Sequence, residues 1–172
     1  QTPEFFSASR VACGVTNAYS APETLGVDRW AALIGAHHHH RGAVCVIDCG
    51  TAITLDLLAA SGQHQGGLIL PGIEMLKQVV LEDTAGVKHA AESPLATLFA
   101  SSTGAGVHRG AVYMAVAAVD RIVQDIAATQ PQDFEVLITG GDAGTILTLL
   151  ARPAHHDPEL VLKGLAILAG EP

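Results

Sequence analysis

The clearest structural signal in the sequence is Val44-Cys45-Val46-Ile47-Asp48-Cys49-Gly50-Thr51-Ala52. Its first half is apolar and rich in β-branched residues, which predicts a buried strand over residues 43–48. Gly50 and Thr51 predict a tight bend, and the alternation that follows predicts a second strand over 53–59, returning as a hairpin. An unpaired carboxylate at the end of a buried strand costs roughly several kcal/mol unless it meets a cation or hydrogen-bond donors. Asp48 is therefore a candidate functional residue.

A similar pattern occurs about ninety residues later, where Val136-Leu137-Ile138 precedes Thr139-Gly140-Gly141-Asp142-Ala143. Both patterns fit two interpretations. The structural one is a hairpin turn at Asp48 and a helix N-cap at Asp142. The functional one is a nucleotide site, in which backbone N–H groups, a hydroxyl and a carboxylate hold phosphate and its cation. A glycine pair would also let a flat ring lie against the main chain.

The rest of the chain alternates strands and helices and predicts an α/β fold. Periodicity predicts helices over 25–36, 73–81, 105–129, 143–151 and 163–169, and strands over 67–70 and 134–138, with a last short strand between Pro158 and Lys163. A loop is predicted around Glu92-Ser93-Pro94, and Gln130-Pro131 is expected to end the longest helix.

Composition excludes several classes of protein. The chain has 172 residues, 49% hydrophobic and 15% charged, which is typical of one globular domain or slightly more. Its net charge of −8, without a basic stripe, argues against a nucleic-acid partner. Three cysteines argue against a disulfide framework and favour a cytoplasmic location. We see neither a signal peptide nor an apolar run long enough for a membrane helix, so no membrane association is expected.

Four further clusters are candidate sites with a structural alternative. Asp28-Arg29, near a helix start, fits a surface salt bridge or cap, or a proton acceptor beside an anionic substrate. Ser101 to Gly106 fits helix capping or anion binding, and lacks the third glycine of a dinucleotide fingerprint. His37–His40 indicates a solvated loop or helix end, because four consecutive side chains point in different directions. His155-His156-Asp157 is an equally weak metal signal. P-loop, nucleophile-elbow and zincin motifs do not occur in the sequence.

Taken in order, four motifs resemble those of the type III pantothenate kinases, a family that includes the Bvg accessory factor-like proteins. The motifs are Tyr19-Ser-Ala-Pro-Glu-Thr-Leu-Gly-Val-Asp-Arg-Trp30, Asp48-Cys-Gly-Thr-Ala52, Gly66-Gly-Leu-Ile-Leu-Pro-Gly72 and Thr139-Gly-Gly-Asp-Ala143. The resemblance runs from about Tyr19 to Gly164.

The resemblance implies an actin-like ATPase (ribonuclease H-like) fold, mostly the C-terminal half of a two-lobed kinase. Residues 1–42 would end the N-terminal lobe and carry part of the pantothenate pocket, and residues 43–172 would form the C-terminal lobe. It implies transfer of the γ-phosphate of ATP to pantothenate, the first committed step toward coenzyme A. It also implies a homodimer, a divalent metal such as magnesium, and a monovalent cation, potassium or ammonium.

The resemblance also implies roles for particular residues. Asp28 would be the catalytic proton acceptor and Asp48 a ligand of the monovalent cation. The pantothenate pocket would include Tyr19, Gly26, Val27, Asp28, Arg29 and Thr103. The ATP site would include Gly50, Thr51, Thr139, Gly140, Gly141 and Asp142.

One departure concerns the start of the chain. The family begins with a strand ending in Asp-X-Gly-Asn-Thr, the first phosphate loop, and residues 1–18 contain no such motif. We expect that an N-terminal part of several dozen residues is missing, or that the protein is a non-catalytic regulatory or binding relative. Another small-molecule kinase of the same superfamily is a third interpretation. In the first two cases this chain alone should be a poor kinase.

Overall fold

The computed structural model describes residues 5–82, 97–130 and 132–170. The strands are β1 (Val11–Ala12), β2 (Val15–Thr16), β3 (Ala43–Cys49), β4 (Ala52–Leu58), β5 (His64–Pro71), β6 (Phe134–Thr139) and β7 (His155–His156). The helices are α1 (Val27–His39), α2 (Ile73–Glu82), α3 (Thr103–Thr129), α4 (Ala143–Leu147) and α5 (Leu160–Leu168), with a 3₁₀ turn at Pro22–Thr24. The predicted loop at Glu92-Ser93-Pro94 lies outside the described residues.

Strand β3 is the centre of a five-stranded sheet of order β5-β4-β3-β6-β7. It pairs with β4 antiparallel, which confirms the predicted hairpin, and with β6 parallel. In the parallel pair Asp48 lies opposite Thr139. The two glycine-containing turns therefore leave the same end of the sheet from neighbouring strands.

Helices cover both faces of the sheet. On one face Cys45, Ile47 and Cys49 pack in a cluster with the apolar side of α3. On the other face Val44 and Val46 pack with α1 and with Leu160 of α5. Burial, the largest cause, raises the pKa of both Cys45 and Cys49 to about 12. The sheet is thus the middle layer of three, and β3 is apolar on both faces for that reason.

Helices α1 and α5 approach each other at backbone distance. A Cβ on Gly164 would overlap the backbone of Ala31, and one on Gly35 would lie 2.6 Å from the carbonyl oxygen of Leu160. Side chains larger than hydrogen do not fit at such a crossing. Neither glycine belongs to a motif that predicts this contact.

The C-terminal boundaries differ from the predictions. The strand predicted between Pro158 and Lys163 is wrong, because α5 already begins at Leu160 and the last strand, β7, lies before Pro158. Leu160 is fully buried, and the Lys163 ammonium donates to Asp157 across the first turn at 2.8 Å. These tertiary contacts outweigh the β-propensity of the Leu-Val-Leu run.

Helices α1 and α4 end three or four residues away from their predicted ends. Helix α4 ends at Leu147 rather than residue 151, where Thr148 Oγ1 donates to the carbonyl of Thr145 at 2.9 Å. Helix α1 continues through His39, so three of the four consecutive histidines form its last turn, which agrees with the helix-end interpretation.

Candidate active site

The two glycine turns that the sequence separates by ninety residues are in direct contact. The N–H of Asp142 donates to the carbonyl of Cys49 at 2.9 Å. Gly140 has φ +94°, and a Cβ there would lie 2.5 Å from Asp48 Oδ1 and 2.5 Å from the carbonyl carbon of Cys49. Gly141, in contrast, faces open space. The first glycine of the pair is therefore required by the packing of the turns, and only the second leaves room for a ligand.

The turn at Gly50 and Thr51 is supported from the next motif. The N–H of Gly72 donates to the carbonyl of Thr51 at 3.1 Å. A Cβ on Gly72 would overlap the carbonyl oxygens of Thr51 and Gly50. The side chain of Thr51 is exposed. The Pro71-Gly72 end of the third motif thus holds this turn in place and leaves the threonine hydroxyl at the surface.

Asp48 and Asp28 form a pair of carboxylates from separate elements. Asp48 is half-buried at the end of β3, and Asp28 is exposed in the first turn of α1. Burial, and then the negative charge of Asp28, raise the pKa of Asp48 above its ordinary value. Asp28 Oδ1 accepts the N–H of Arg29 at 2.8 Å. A carboxylate such as Asp48, whose ionisation is made costlier by burial and a neighbouring negative charge, is a suitable ligand for a cation.

Arg29 pairs with Asp56, not with the adjacent Asp28. Its Nε and Nη2 donate to the two carboxylate oxygens of Asp56 at 2.8 and 2.7 Å, and its Nη1 donates to the Tyr19 hydroxyl at 2.9 Å. Arg29 is 6% exposed and Asp56 2%. Burial acts to lower the pKa of Arg29, but the hydrogen bond and charge of Asp56 outweigh it and raise that pKa. The interpretation of Arg29 as part of a surface salt bridge is wrong.

His64 completes this buried cluster, and the sequence analysis missed it. Its Nε2 lies 2.9 Å from Asp56 Oδ1, its Nδ1 accepts the N–H of Ala18 at 3.4 Å, and its ring stacks on that of Tyr19 with centroids 6.1 Å apart. We call Tyr19, Arg29, Asp56 and His64 the Arg29 network. The signal in the sequence that could have identified this network is Asp56, a charged residue between Leu55 and Leu57 in a predicted strand.

Gly67 makes room for the Arg29 network. A Cβ there would overlap Asp56 Oδ1 and would lie 2.6 Å from Nη2 of Arg29. The second glycine of the Gly66-Gly67 pair in the third motif is therefore required by packing, because the ion pair of Arg29 and Asp56 lies directly against the backbone of β5.

The remaining predicted site residues occupy different positions. Gly26 and Val27 are exposed at the start of α1, and Thr139 is 2% exposed at the end of β6. Thr103 is exposed at the start of α3, next to Ser102, whose hydroxyl caps the helix by accepting the N–H of Ala105 at 3.4 Å. Capping is thus present there. Since α3 and α1 cover opposite faces of the sheet, no contact among the described residues links Thr103 directly to the Arg29 network.

Within residues 5–82, 97–130 and 132–170 no cluster of three or more His, Cys, Asp or Glu side chains has the arrangement of a metal site. The same part of the chain contains no helix that is both long and apolar enough to cross a bilayer.

Solved structures with the same architecture support the fold. A crystal structure from Campylobacter jejuni, described as a conserved Baf family transcriptional activator, matches with a TM-score of 0.60 and 25% identity over 91% of this chain and 67% of that one. The Alp12 filament structure matches with a TM-score of 0.57 at 11% identity, over 81% and 51%, which is a likeness of fold alone. The predicted α/β fold of the actin-like ATPase type is confirmed.

Sequence relatives agree with the motifs. The chain is 47% identical to a type III pantothenate kinase of Nitrosococcus oceani, over 97% of this chain and 65% of the relative. It is 46% identical to one of Halorhodospira halophila, over 92% and 62%. The chain therefore spans somewhat less than two thirds of these relatives. The family model described as type III pantothenate kinase matches residues 1–125. This chain belongs to the type III pantothenate kinase family.

Proposed function

We propose that the protein transfers the γ-phosphate of ATP to the hydroxyl of pantothenate, giving 4'-phosphopantothenate for coenzyme A synthesis. The observation that carries this proposal is the junction of the two glycine turns beside the Asp28–Asp48 pair, at one end of the sheet. Phosphoryl transfer needs alignment and charge neutralisation more than covalent help. The joined turns would supply the alignment, and a cation held by a carboxylate would supply the neutralising charge. Because the chain spans 65% and 62% of two named kinases, the activity of the whole protein is part of the proposal.

In this proposal each polar group has one task. Asp28, exposed and next to the turns, accepts the proton of the attacking hydroxyl. Tyr19, Gly26 and Val27 line the pantothenate pocket, and Thr103 contacts the same substrate. Arg29 acts mainly through Tyr19, since its guanidinium is bonded to Asp56 and buried.

ATP would lie along the joined turns. Thr51 presents an exposed hydroxyl to the phosphates beside Gly50, and Gly141 leaves open space for the adenosine next to Thr139, Gly140 and Asp142. The Asp48 carboxylate is an oxygen ligand of the kind that hard cations prefer, so Asp48 would hold potassium or ammonium. A magnesium ion bound with ATP would neutralise phosphate charge.

The homodimer and the cytoplasmic location are also proposals. Large apolar side chains are exposed on the faces that β5, α2 and α3 present outward, as expected of a subunit interface. They are Leu68, Ile69, Met75, Val79, Val80, Tyr113 and Met114.

Replacement of the proton acceptor tests the reaction. We expect Asp28→Asn to reduce pantothenate phosphorylation by roughly 100-fold or more, because the amide cannot accept the proton. The assay uses the full-length gene product with ATP, magnesium and potassium, and measures phosphopantothenate by mass spectrometry. Asp125→Asn, at an exposed aspartate paired with Arg121 on α3, is the matched control and should keep wild-type activity.

The same assay separates the alternatives. Wild-type activity in Asp28→Asn would contradict only the role of Asp28. A wild-type protein that binds pantothenate and ATP but forms no product would be a non-catalytic relative, and one that phosphorylates only other small hydroxyl compounds would be a different kinase.

Removal of the Asp48 charge tests the cation site. The pKa of Asp48 is higher in the folded than in the unfolded chain, so its contribution to stability falls as pH rises from the ordinary carboxyl value through the raised one. At neutral pH the ionised group is destabilising unless a cation is bound. Potassium at a few times its Kd should add about 1 kcal/mol, which is a rise in Tm of about 2–4 °C.

Asp48→Asn should melt at or above the wild-type temperature in choline chloride and lose the potassium-dependent rise. Thermal unfolding at matched ionic strength measures both, with Asp125→Asn as the control. A full potassium effect in Asp48→Asn would exclude this carboxylate as the cation ligand.

A further inference from the structure

We propose that Asp56 and His64 are positioning residues of the pantothenate pocket, which act through Arg29 and the ring of Tyr19 to aim the Tyr19 hydroxyl at an acceptor oxygen of the substrate. The inference rests on the proposed function and adds to it two residues that do not touch the substrate. It follows from the contacts of the Arg29 network, taken from the inside outward.

The Asp56 carboxylate fixes the plane of the guanidinium. It is 2% exposed and takes three hydrogen bonds, two from Arg29 and one from His64. A bidentate pair of this kind allows one orientation of the planar guanidinium. The third nitrogen of Arg29, Nη1, is then directed at Tyr19, 2.9 Å from its hydroxyl oxygen.

His64 is held in one tautomer. Its Nδ1 accepts the N–H of Ala18, so the ring proton is on Nε2 and is donated to Asp56. The imidazole is fully buried, and the angle between its plane and that of the Tyr19 ring is 22°. One side chain therefore holds the carboxylate and supports the tyrosine ring.

Tyr19 is the member of the network whose hydroxyl the buried contacts orient. It is half-buried, and its hydroxyl oxygen accepts from Arg29, which leaves the phenolic proton to be donated elsewhere. The ring contacts both the imidazole and the guanidinium, whose carbon is 5.7 Å from the ring centroid. Since Asp28 adjoins Arg29 on α1, the proposed proton acceptor and the guanidinium that directs the Tyr19 hydroxyl belong to the same short segment.

Steady-state kinetics of full-length variants test the inference. We expect Tyr19→Phe and His64→Phe each to raise the KM for pantothenate about 10-fold, the loss of roughly one hydrogen bond. The KM for ATP and kcat should change less than about threefold, because the lost contact is to bound substrate. The double variant should be no worse than Tyr19→Phe alone, since both changes act through one hydroxyl.

His64→Gln is the conservative variant. Its amide can donate to Asp56 and accept from Ala18, so the pantothenate KM should return to near the wild-type value. A purely structural histidine would lower Tm without moving this KM, and that result in His64→Phe overturns the inference. If His64→Phe does not fold, a wild-type pantothenate KM in Tyr19→Phe overturns it equally. Absence of wild-type activity instead overturns the proposed function, and the inference with it.

Discussion

Gly140→Ala should lower the free energy of unfolding by about 3 kcal/mol, the sum of a strained backbone and a displaced turn. Gly140 has φ +94°, in the region that side chains other than hydrogen disfavour. The new methyl would also lie 2.5 Å from Asp48 Oδ1 and 2.6 Å from the backbone nitrogen of Cys49. One of the two turns would have to move, and with it the hydrogen bond from Asp142 to Cys49.

Gly141→Ala is the matched control, because a Cβ on Gly141 lies within 4 Å of no atom in the part of the chain that the structure describes. We expect its stability to change by less than about 1 kcal/mol, as for most surface substitutions. Urea unfolding followed by the fluorescence of Trp30, the single and fully buried tryptophan, measures both variants. Equal stability of the two variants would contradict the packing of the turns described above.

Gly164→Ala should be at least as damaging, by roughly 3 kcal/mol or more, although alanine is the better helix former. A methyl group there would overlap the carbonyl group of Ala31, so α5 would have to leave α1. That movement would also uncover Leu160, which is fully buried. Lost helix contact thus outweighs the gain in helix propensity.

Gly110→Ala, in the middle of α3, is the control of opposite sign. A Cβ on Gly110 meets no atom of the described residues within 4 Å, so we expect only the difference in helix propensity to act. We expect a gain of about 0.5–1 kcal/mol. The same urea experiment compares the two substitutions. A Gly164→Ala protein as stable as wild type would show that α1 and α5 are not in backbone contact.

Local patterns predicted the parts of this fold that depend on neighbouring residues. The hairpin around Gly50 and the long helix α3 follow from periodicity and turn chemistry, which act over a few residues. Strand β7 and the start of α5 were missed, because they depend on pairing with β6 and on burial of Leu160 against α1. Such contacts have no signature in the segment itself.

The candidate site likewise has residues that the sequence predicted and contacts that it did not. Motif order alone identified the family and named Asp28, Asp48 and the glycine turns as site residues, and these roles stay predictions. The partner of Arg29 could not be read from its neighbours, because Asp56 is 27 residues away and reaches it only through the alternation of β4 toward the α1 face.

The glycine turns at Asp48 and Thr139 show the division most clearly. Each turn is determined by a few adjacent residues, since strand propensity and glycine conformation are local properties. The contact between the turns, which requires Gly140 and leaves open space at Gly141, depends on the parallel pairing of β3 with β6. The effect of Asp28 on the pKa of Asp48 depends on the placement of α1. Those are properties of packing, in which distant residues meet and exclude water.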